Sequence, residues 1–284
     1  MIQHVASVAV RRAAPLALAA LLSACVTNSV TQGLEIDAAQ GSASNIASLS
    51  RVVEANPRDP QVYNTRGAAF ARAGKLKDAV ADFDRALAID PRLVEALANR
   101  GQARMRLGEP AAAIADYDLA LRIQPAFDKA WIGRGDVLMG AGREAEAFSD
   151  YNRAVSLDTT NPRAYHNRGL ILQRQRQHDD AIEDFSKAIS LADKRAEPYN
   201  ARGLSYLAKG QVQAASDDFD AAISLRPGYA EAWTNRGLVH EKNGQRRSAN
   251  KAYAKAAKLD PRYGPAKAGL ARTGGDKRRT GRGA

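Results

Sequence analysis

The sequence predicts an all-α solenoid of six helical hairpins, and three observations carry that prediction. Glycine recurs every 34 residues without slippage, at Gly67, Gly101, Gly135, Gly169, Gly203 and Gly237. Twelve residues after each glycine stands alanine, sixteen after it an aromatic, and nineteen after it alanine again. The composition agrees: 45% of the 284 residues are hydrophobic but only 6% aromatic, so a core must come from helices that approach closely over small side chains.

Residues 1–24 read as an export signal. Arg11 and Arg12 supply positive charge, and an apolar run follows from Ala13 to Leu22, too short to span a bilayer as a helix. Leu22-Ser23-Ala24-Cys25 looks like a bacterial lipobox, in which the cysteine thiol takes a diacylglyceryl group and becomes the mature N-terminus. Cys25, the sole cysteine, also excludes an intramolecular disulfide and a cysteine-based zinc cluster. Each buried methylene of an acyl chain contributes about 0.8 kcal/mol, so a multiply acylated Cys25 anchors a chain that has no spanning helix. Residues 25–44 contain this cysteine and a polar segment without apolar periodicity, expected to be a flexible tether. Residues 45–59 are expected to form an N-terminal capping helix, since Pro57 precedes Pro91 by one period.

Residues 60–263 hold the six hairpins. The large apolar residue four before each glycine (Tyr63, Leu97, Trp131, Tyr165, Tyr199, Trp233) is expected in the core, tryptophans included. The second helices carry Phe83, Tyr117, Tyr151, Phe185, Phe219 and Tyr253. A further glycine ends the first helix at Gly74, Gly108, Gly142, Gly210 and Gly244, with Arg176 the exception, and supplies a left-handed C-cap. Proline closes four units, while Thr159 and Asp193 replace it in two. Residues 264–272 predict a short C-terminal capping helix, and 273–284 a disordered basic tail.

This pattern resembles the tetratricopeptide repeat (TPR) family over about 204 residues. The resemblance implies a right-handed superhelical solenoid with half-repeat caps, and a platform for binding proteins rather than an enzyme. One departure is arginine before every repeat glycine: Arg66, Arg100, Arg134, Arg168, Arg202 and Arg236. Aspartate precedes five of the second-helix aromatics (Asp82, Asp116, Asp150, Asp184, Asp218), with Ala252 in the sixth unit. Pairing each aspartate with the arginine of the following unit leaves none of the five over, which predicts an ion-pair ladder between hairpins.

In this family the first helices line the inner face. A stripe along them takes in Asn64, Arg72, Asn99, Gln102, Arg106, Lys129, Asp136, His166, Asn167, Arg174, Asn200, Asn235, Glu241 and Lys242. Asparagine amides can donate to and accept from an extended peptide backbone, and the basic residues suit carboxylates. A groove for peptides or proteins is therefore expected. The Lys and Asn of the chaperone-binding carboxylate clamp correspond here to Asn64 and Ala68, so that ligand is not expected.

No P-loop, nucleophile elbow or pair of metal-spaced histidines occurs, and neither cofactor nor metal is expected. The net charge of +11 first suggests nucleic acid. Just over half of it, however, lies in Arg11 and Arg12 and in a tail with five basic residues from Arg272 onward against Asp276, so nucleic acid is not the expected partner. The lipid-plus-repeat layout is similar to NlpI-type lipoproteins. It implies a scaffold or adaptor for envelope proteins, with Val26 after the cysteine favouring the outer membrane facing the periplasm. A pilotin-type assembly factor for a secretin or pilus, and a binder of anionic polymers through the basic stripe and tail, are the alternatives.

Overall fold

The computed structural model describes residues 41–274, and among these residues all regular structure is helical. Residues 1–24, Cys25, the tether up to residue 40 and the tail after Gly274 lie outside the described residues. The chain divides into two compact units at Ala103/Arg104. The first contains α1 (Ala43–Ala55), α2 (Pro60–Arg72), α3 (Leu76–Ile89) and the greater part of α4 (Val94–Leu107). The second takes the end of α4, then α5 (Pro110–Ile123), α6 (Asp128–Gly140), α7 (Glu144–Ser156), α8 (Pro162–Arg174) and α9 (His178–Leu191). It continues with α10 (Ala196–Ala208), α11 (Val212–Leu225), α12 (Ala230–Lys242), α13 (Arg246–Leu259) and α14 (Gly264–Gly274).

Local chemistry sets the helix ends. Asp59 caps α2 by accepting from the Gln61 N–H, and Pro60 opens the helix where a missing N–H costs nothing. Asn161 and Pro162 do the same for α8. After the first helices, Gly74, Gly108, Gly142, Gly210 and Gly244 all adopt φ between +69° and +82°. Arg176, at the exceptional position, is driven to φ +63° and completes the same turn, with Gln177 N donating to Leu172 O at 2.9 Å. In the linker where Thr159 replaces proline, Asp158 turns to φ +55°. Thr159 is buried, donates to the Asp128 carboxylate and accepts from Asn161 N, so a hydroxyl does with hydrogen bonds what the ring does by constraint.

Within the first unit α2 packs on α3. Within the second, α6 packs on α7, α8 on α9, α10 on α11 and α12 on α13, and each second helix also meets the first helix that follows it. The alanines at both repeating positions, from Ala79 and Ala86 to Ala249 and Ala256, have no exposed surface at all. The repeat glycine has a more specific task. A Cβ built on Gly67 would stand 2.7 Å from the Phe83 ring, one on Gly135 2.8 Å from Tyr151, one on Gly203 2.7 Å from Phe219, and one on Gly237 2.5 Å from Tyr253. The aromatic edge therefore rests on the glycine backbone. Tyr253 closes on a second glycine as well, Gly269 in the helix that follows, and Tyr117 meets Gly133 of its following helix in the same way.

The tryptophans depart from the expected core placement. Trp131 and Trp233 are half-buried, and their indole N–H groups donate to Pro125 O at 2.9 Å and Pro227 O at 3.0 Å. An indole needs a partner for its one donor, and the linker carbonyl at the surface provides it. Tyr63, though buried, uses its hydroxyl in the same way on Pro57 O at 3.3 Å.

The ion-pair ladder is also corrected: the aspartates pair within their own hairpin. Arg66 grips Asp82 through Nε and Nη2 at 2.7 Å each, and Arg134–Asp150, Arg168–Asp184 and Arg202–Asp218 repeat the bidentate clasp at 2.6–2.9 Å. The cause is the glycine contact. It brings the two helices together at one height, and the residues just before the glycine and just before the aromatic fall opposite each other. The carboxylate hydrogen bonds raise all four guanidinium pKa values above the already high arginine range. The remaining Nη1 reaches back to the preceding second helix: Arg66 to Ser50, Arg134 to Asp118, Arg168 to Asn152 and Arg202 to Ser186. Arg100 likewise reaches Asp84 at 2.6 Å. A link between hairpins thus exists, but its acceptor lies two residues beyond the aspartate the sequence pointed to.

Two outcomes follow for equilibrium unfolding. Gly203→Ala is expected to cost about 1–3 kcal/mol by overpacking against Phe219, and Gly203→Ala with Phe219→Leu to recover part of that loss. Asp150→Ala is expected to cost about 3 kcal/mol because it strands the Arg134 fork, whereas Arg134→Met with Asp150→Leu should cost much less.

Candidate functional site

The first helices present the polar row that the sequence singled out, and the structure divides it into two kinds of residue. The asparagines are engaged with their neighbours. In the first unit Asn99 Nδ2 donates to Asn64 Oδ1 at 2.9 Å, and in the second Asn235 Nδ2 donates to Asn200 Oδ1 at 2.8 Å. Asn200 and Asn235 are buried, and Asn200 also donates to the Tyr229 hydroxyl at 3.5 Å. Each amide pair spends one donor and one acceptor, so in the half-buried first pair Asn64 keeps N–H donors and Asn99 keeps its carbonyl oxygen for a ligand.

Asn167 is drawn into a different network. It donates to Asp136 Oδ1 at 2.7 Å, where Tyr151 OH also donates at 2.8 Å, and Arg163 pairs with the other carboxylate oxygen. Burial pushes the Asp136 carboxyl up against the opposing pull of Arg163. Tyr151 is the aromatic that rests on Gly135, so this network ties the polar face to the hairpin core. Arg163, Tyr151 and Tyr229 were missed as members of the row. The available signal was Asp136 itself, an acid at a repeat position that elsewhere holds Ala68, Gln102, Leu170, Leu204 and Leu238.

The basic and remaining polar members stand outward. Arg72, Gln102, Arg106, Lys129, Arg174 and Lys242 are exposed. Arg174 crosses to Glu144 at 2.9 Å and touches Met139 Sδ at 3.8 Å. Glu241 accepts from Tyr253 OH at 2.5 Å and from Arg272 at 2.8 Å. The Arg272 hydrogen bond, more than anything else, holds the Glu241 carboxyl below its usual range.

His166 is neither exposed nor engaged. Its ring lies 5.7 Å from that of Phe185, and its Nδ1 is buried without a hydrogen-bond partner. Burial, with Arg195 adding to it, lowers its pKa to about 4. The described residues contain no group of three or more His, Cys, Asp or Glu side chains placed to hold a metal ion. No helix among them is long and apolar enough to cross a membrane.

The His166 environment sets a pH dependence. The folded pKa lies below the ordinary value of 6.5, so the unfolded chain takes up the proton first and stability falls as pH drops from about 6.5 to about 4. The full difference is about 3 kcal/mol. His166→Phe is expected to flatten the unfolding free energy over this interval relative to wild type, as read by chemical denaturation at pH 7.0, 5.5 and 4.5.

Comparison with known proteins agrees with this geometry. Family models described as tetratricopeptide repeat match residues 98–162, 160–225 and 230–263, and one described as TPR repeat matches 70–108. No curated protein is close enough in sequence to be matched. Among solved structures, the Cut9–Hcn1 hetero-tetramer of the APC/C is similar with a TM-score of 0.70 and 19% identity, over 82% of this chain and 46% of that one. This chain thus spans about half the length of that relative. YrrB, a TPR protein with an unusual peptide-binding site, gives a TM-score of 0.57 and 22% identity over 66% of this chain and 96% of its own. PilW, a widely conserved type IV pilus biogenesis factor, gives 0.64 and 19% over 74% and 98%. At these identities the likeness is one of fold. With the 34-residue period, the glycine–aromatic contact and the family matches together, the chain belongs to the tetratricopeptide repeat family.

Proposed function

We propose that this protein is a lipid-anchored scaffold of the bacterial cell envelope that binds other envelope proteins, or extended segments of them, along its first helices. The TPR fold supports a protein-interaction scaffold. The observation that carries the site is the separation of tasks in the polar row. Asparagines and Asp136 hold neighbouring helices in register, with Asn64 and Asn99 keeping amide groups to spare, while Arg72, Gln102, Lys129 and Lys242 project outward with nothing to do for the fold that hydrogen bonding or burial reveals. Exposed cations beside amides suit a partner chain that offers carboxylates and backbone groups.

Cys25 with its preceding Leu-Ser-Ala supports acylation, and Val26 supports the outer membrane facing the periplasm. A second reading, assembly factor for a pilus or secretin, draws on the match to PilW over nearly all of that protein's length. Loss of surface pili with normal division on deletion favours this second reading, and division or envelope defects favour the adaptor.

Metabolic labelling with a fatty-acid analogue is expected to mark the wild type and not Cys25→Ser. Crosslinked envelopes are expected to yield specific proteins with the wild type and at least tenfold less with Arg72→Glu, Lys129→Glu and Lys242→Glu combined. Equal recovery by that variant, folded by circular dichroism, would overturn the first-helix site.

A further inference from the structure

The sixth hairpin breaks the arginine–aspartate rule and leaves a place for an anion. Where the clasped aspartate belongs, it has Ala252. Without that carboxylate Arg236 turns to the preceding second helix, contacting Asp220 through Nε at 2.6 Å and Ser216 Oγ through Nη1 at 2.8 Å. Next to it lies a cavity of about 370 Å³, lined by Arg236, Lys251, Ser248, His240, Trp233 and Ala252 together with Asp220 and Ile223 of α11.

The surrounding charge changes sign with the aspartate. At the Lys251 position the other hairpins have Ala81, Ala115, Ser149, Glu183 and Asp217, and at the Ser248 position three of them have an acid, Asp78, Glu146 or Asp180. Helix α11 carries Asp217, Asp218 and Asp220 with no basic residue, whereas α13 carries Arg246, Arg247, Lys251, Lys255 and Lys258 with no acidic one. Arg247, Lys251, Lys255 and Lys258 are all exposed, and their spacing of three and four residues puts them on one face of α13, leading away from the cavity.

We propose that this cavity receives a side-chain carboxylate from an acidic segment of a partner protein, with the α13 cations receiving flanking carboxylates. The chemistry follows the molecule's own hairpins, in which the equivalent arginine binds a carboxylate, there through Nε and Nη2 together. Asp220 does not prevent it. Asp220 holds Nε and Ser216 holds Nη1, so an incoming carboxylate meets Arg236 at Nη2, with Lys251 lining the same cavity, where Arg134 offers Nε and Nη2 together. The inference deepens the protein-binding reading but uses none of the first-helix residues tested above, so each can fail alone.

Trp233 lines the cavity, and the chain has one other tryptophan, Trp131, so the full chain with Trp131→Phe reports binding by fluorescence. An Asp/Glu-rich hexapeptide is expected to give a saturable change that its Asn/Gln counterpart does not. Ala252→Asp supplies the missing carboxylate internally. It is expected to raise the melting temperature and to weaken peptide binding at least tenfold, and Lys251→Glu with Lys255→Glu on the exposed face should weaken it as well. A titration unchanged by Ala252→Asp and by the lysine pair, no saturable response to the acidic peptide, or inorganic phosphate binding more tightly than the peptide would each overturn the proposal.

Discussion

The contact on which the rest of this structure depends is the edge of an aromatic ring resting on a glycine backbone, repeated hairpin after hairpin. At Gly67, Gly135, Gly169, Gly203 and Gly237 even one methyl group would lie within 2.8 Å of the ring. That contact sets the height at which the two helices cross and their separation. Alanine at the flanking positions then becomes the residue that fits rather than a filler, which explains why a chain with so few aromatics builds a close-packed interior.

The charged ladder is a consequence of the same contact. Arginine before the glycine and aspartate before the aromatic are forced opposite each other, and the aspartate is buried against the hairpin. A buried carboxylate without a partner is costly, and a fork that satisfies both of its oxygens offsets that cost while leaving one guanidinium nitrogen to reach the previous hairpin. Aromatic faces complete the shell: the Arg66 guanidinium lies 5.9 Å from the Tyr63 ring and 5.8 Å from that of Phe70, and Arg202 is placed likewise by Tyr199 and Tyr206. Arg66, Arg134, Arg168 and Arg202 thus each join two helices of their own hairpin and one that precedes it.

Period and small-residue positions made the all-α hairpin architecture legible, because a strict 34-residue spacing admits few physical explanations. The left-handed turns at the five glycines were legible for the same reason; that of Arg176 was not, because it adopts the glycine conformation through a hydrogen-bonding frame shared with the other hairpins rather than through its own side chain. The direction of the ion pairs was not. Ala252 reads along the chain as the natural end of a ladder, whereas in space it is a missing member of its own hairpin, and only the side-chain geometry of Arg236 separates the two. The asparagine row was legible as a row. That its amides bind one another at a separation of 35 residues depends on the offset between successive first helices, which a single helix pattern does not contain.

The polar row and the sixth hairpin show how a repeat can acquire a binding role without losing its fold. A residue that joins core and surface, such as Asp136 with Tyr151 and Asn167, cannot change freely, because its removal strands the buried Tyr151 and the half-buried Asn167 at once. Exposed positions such as Arg72, Lys129 and Lys242 carry no such burden, and specificity can vary there at little cost in stability. Ala252 is a third case. It releases an arginine that the repeat had already placed, beside a cavity that Trp233 also lines, so the loss of one carboxylate makes room for an anion without adding a cation. Because that arginine is held by Asp220 and Ser216, little of its conformational freedom remains to be lost when an anion enters, and pre-organisation of this kind strengthens binding more than an added surface lysine would.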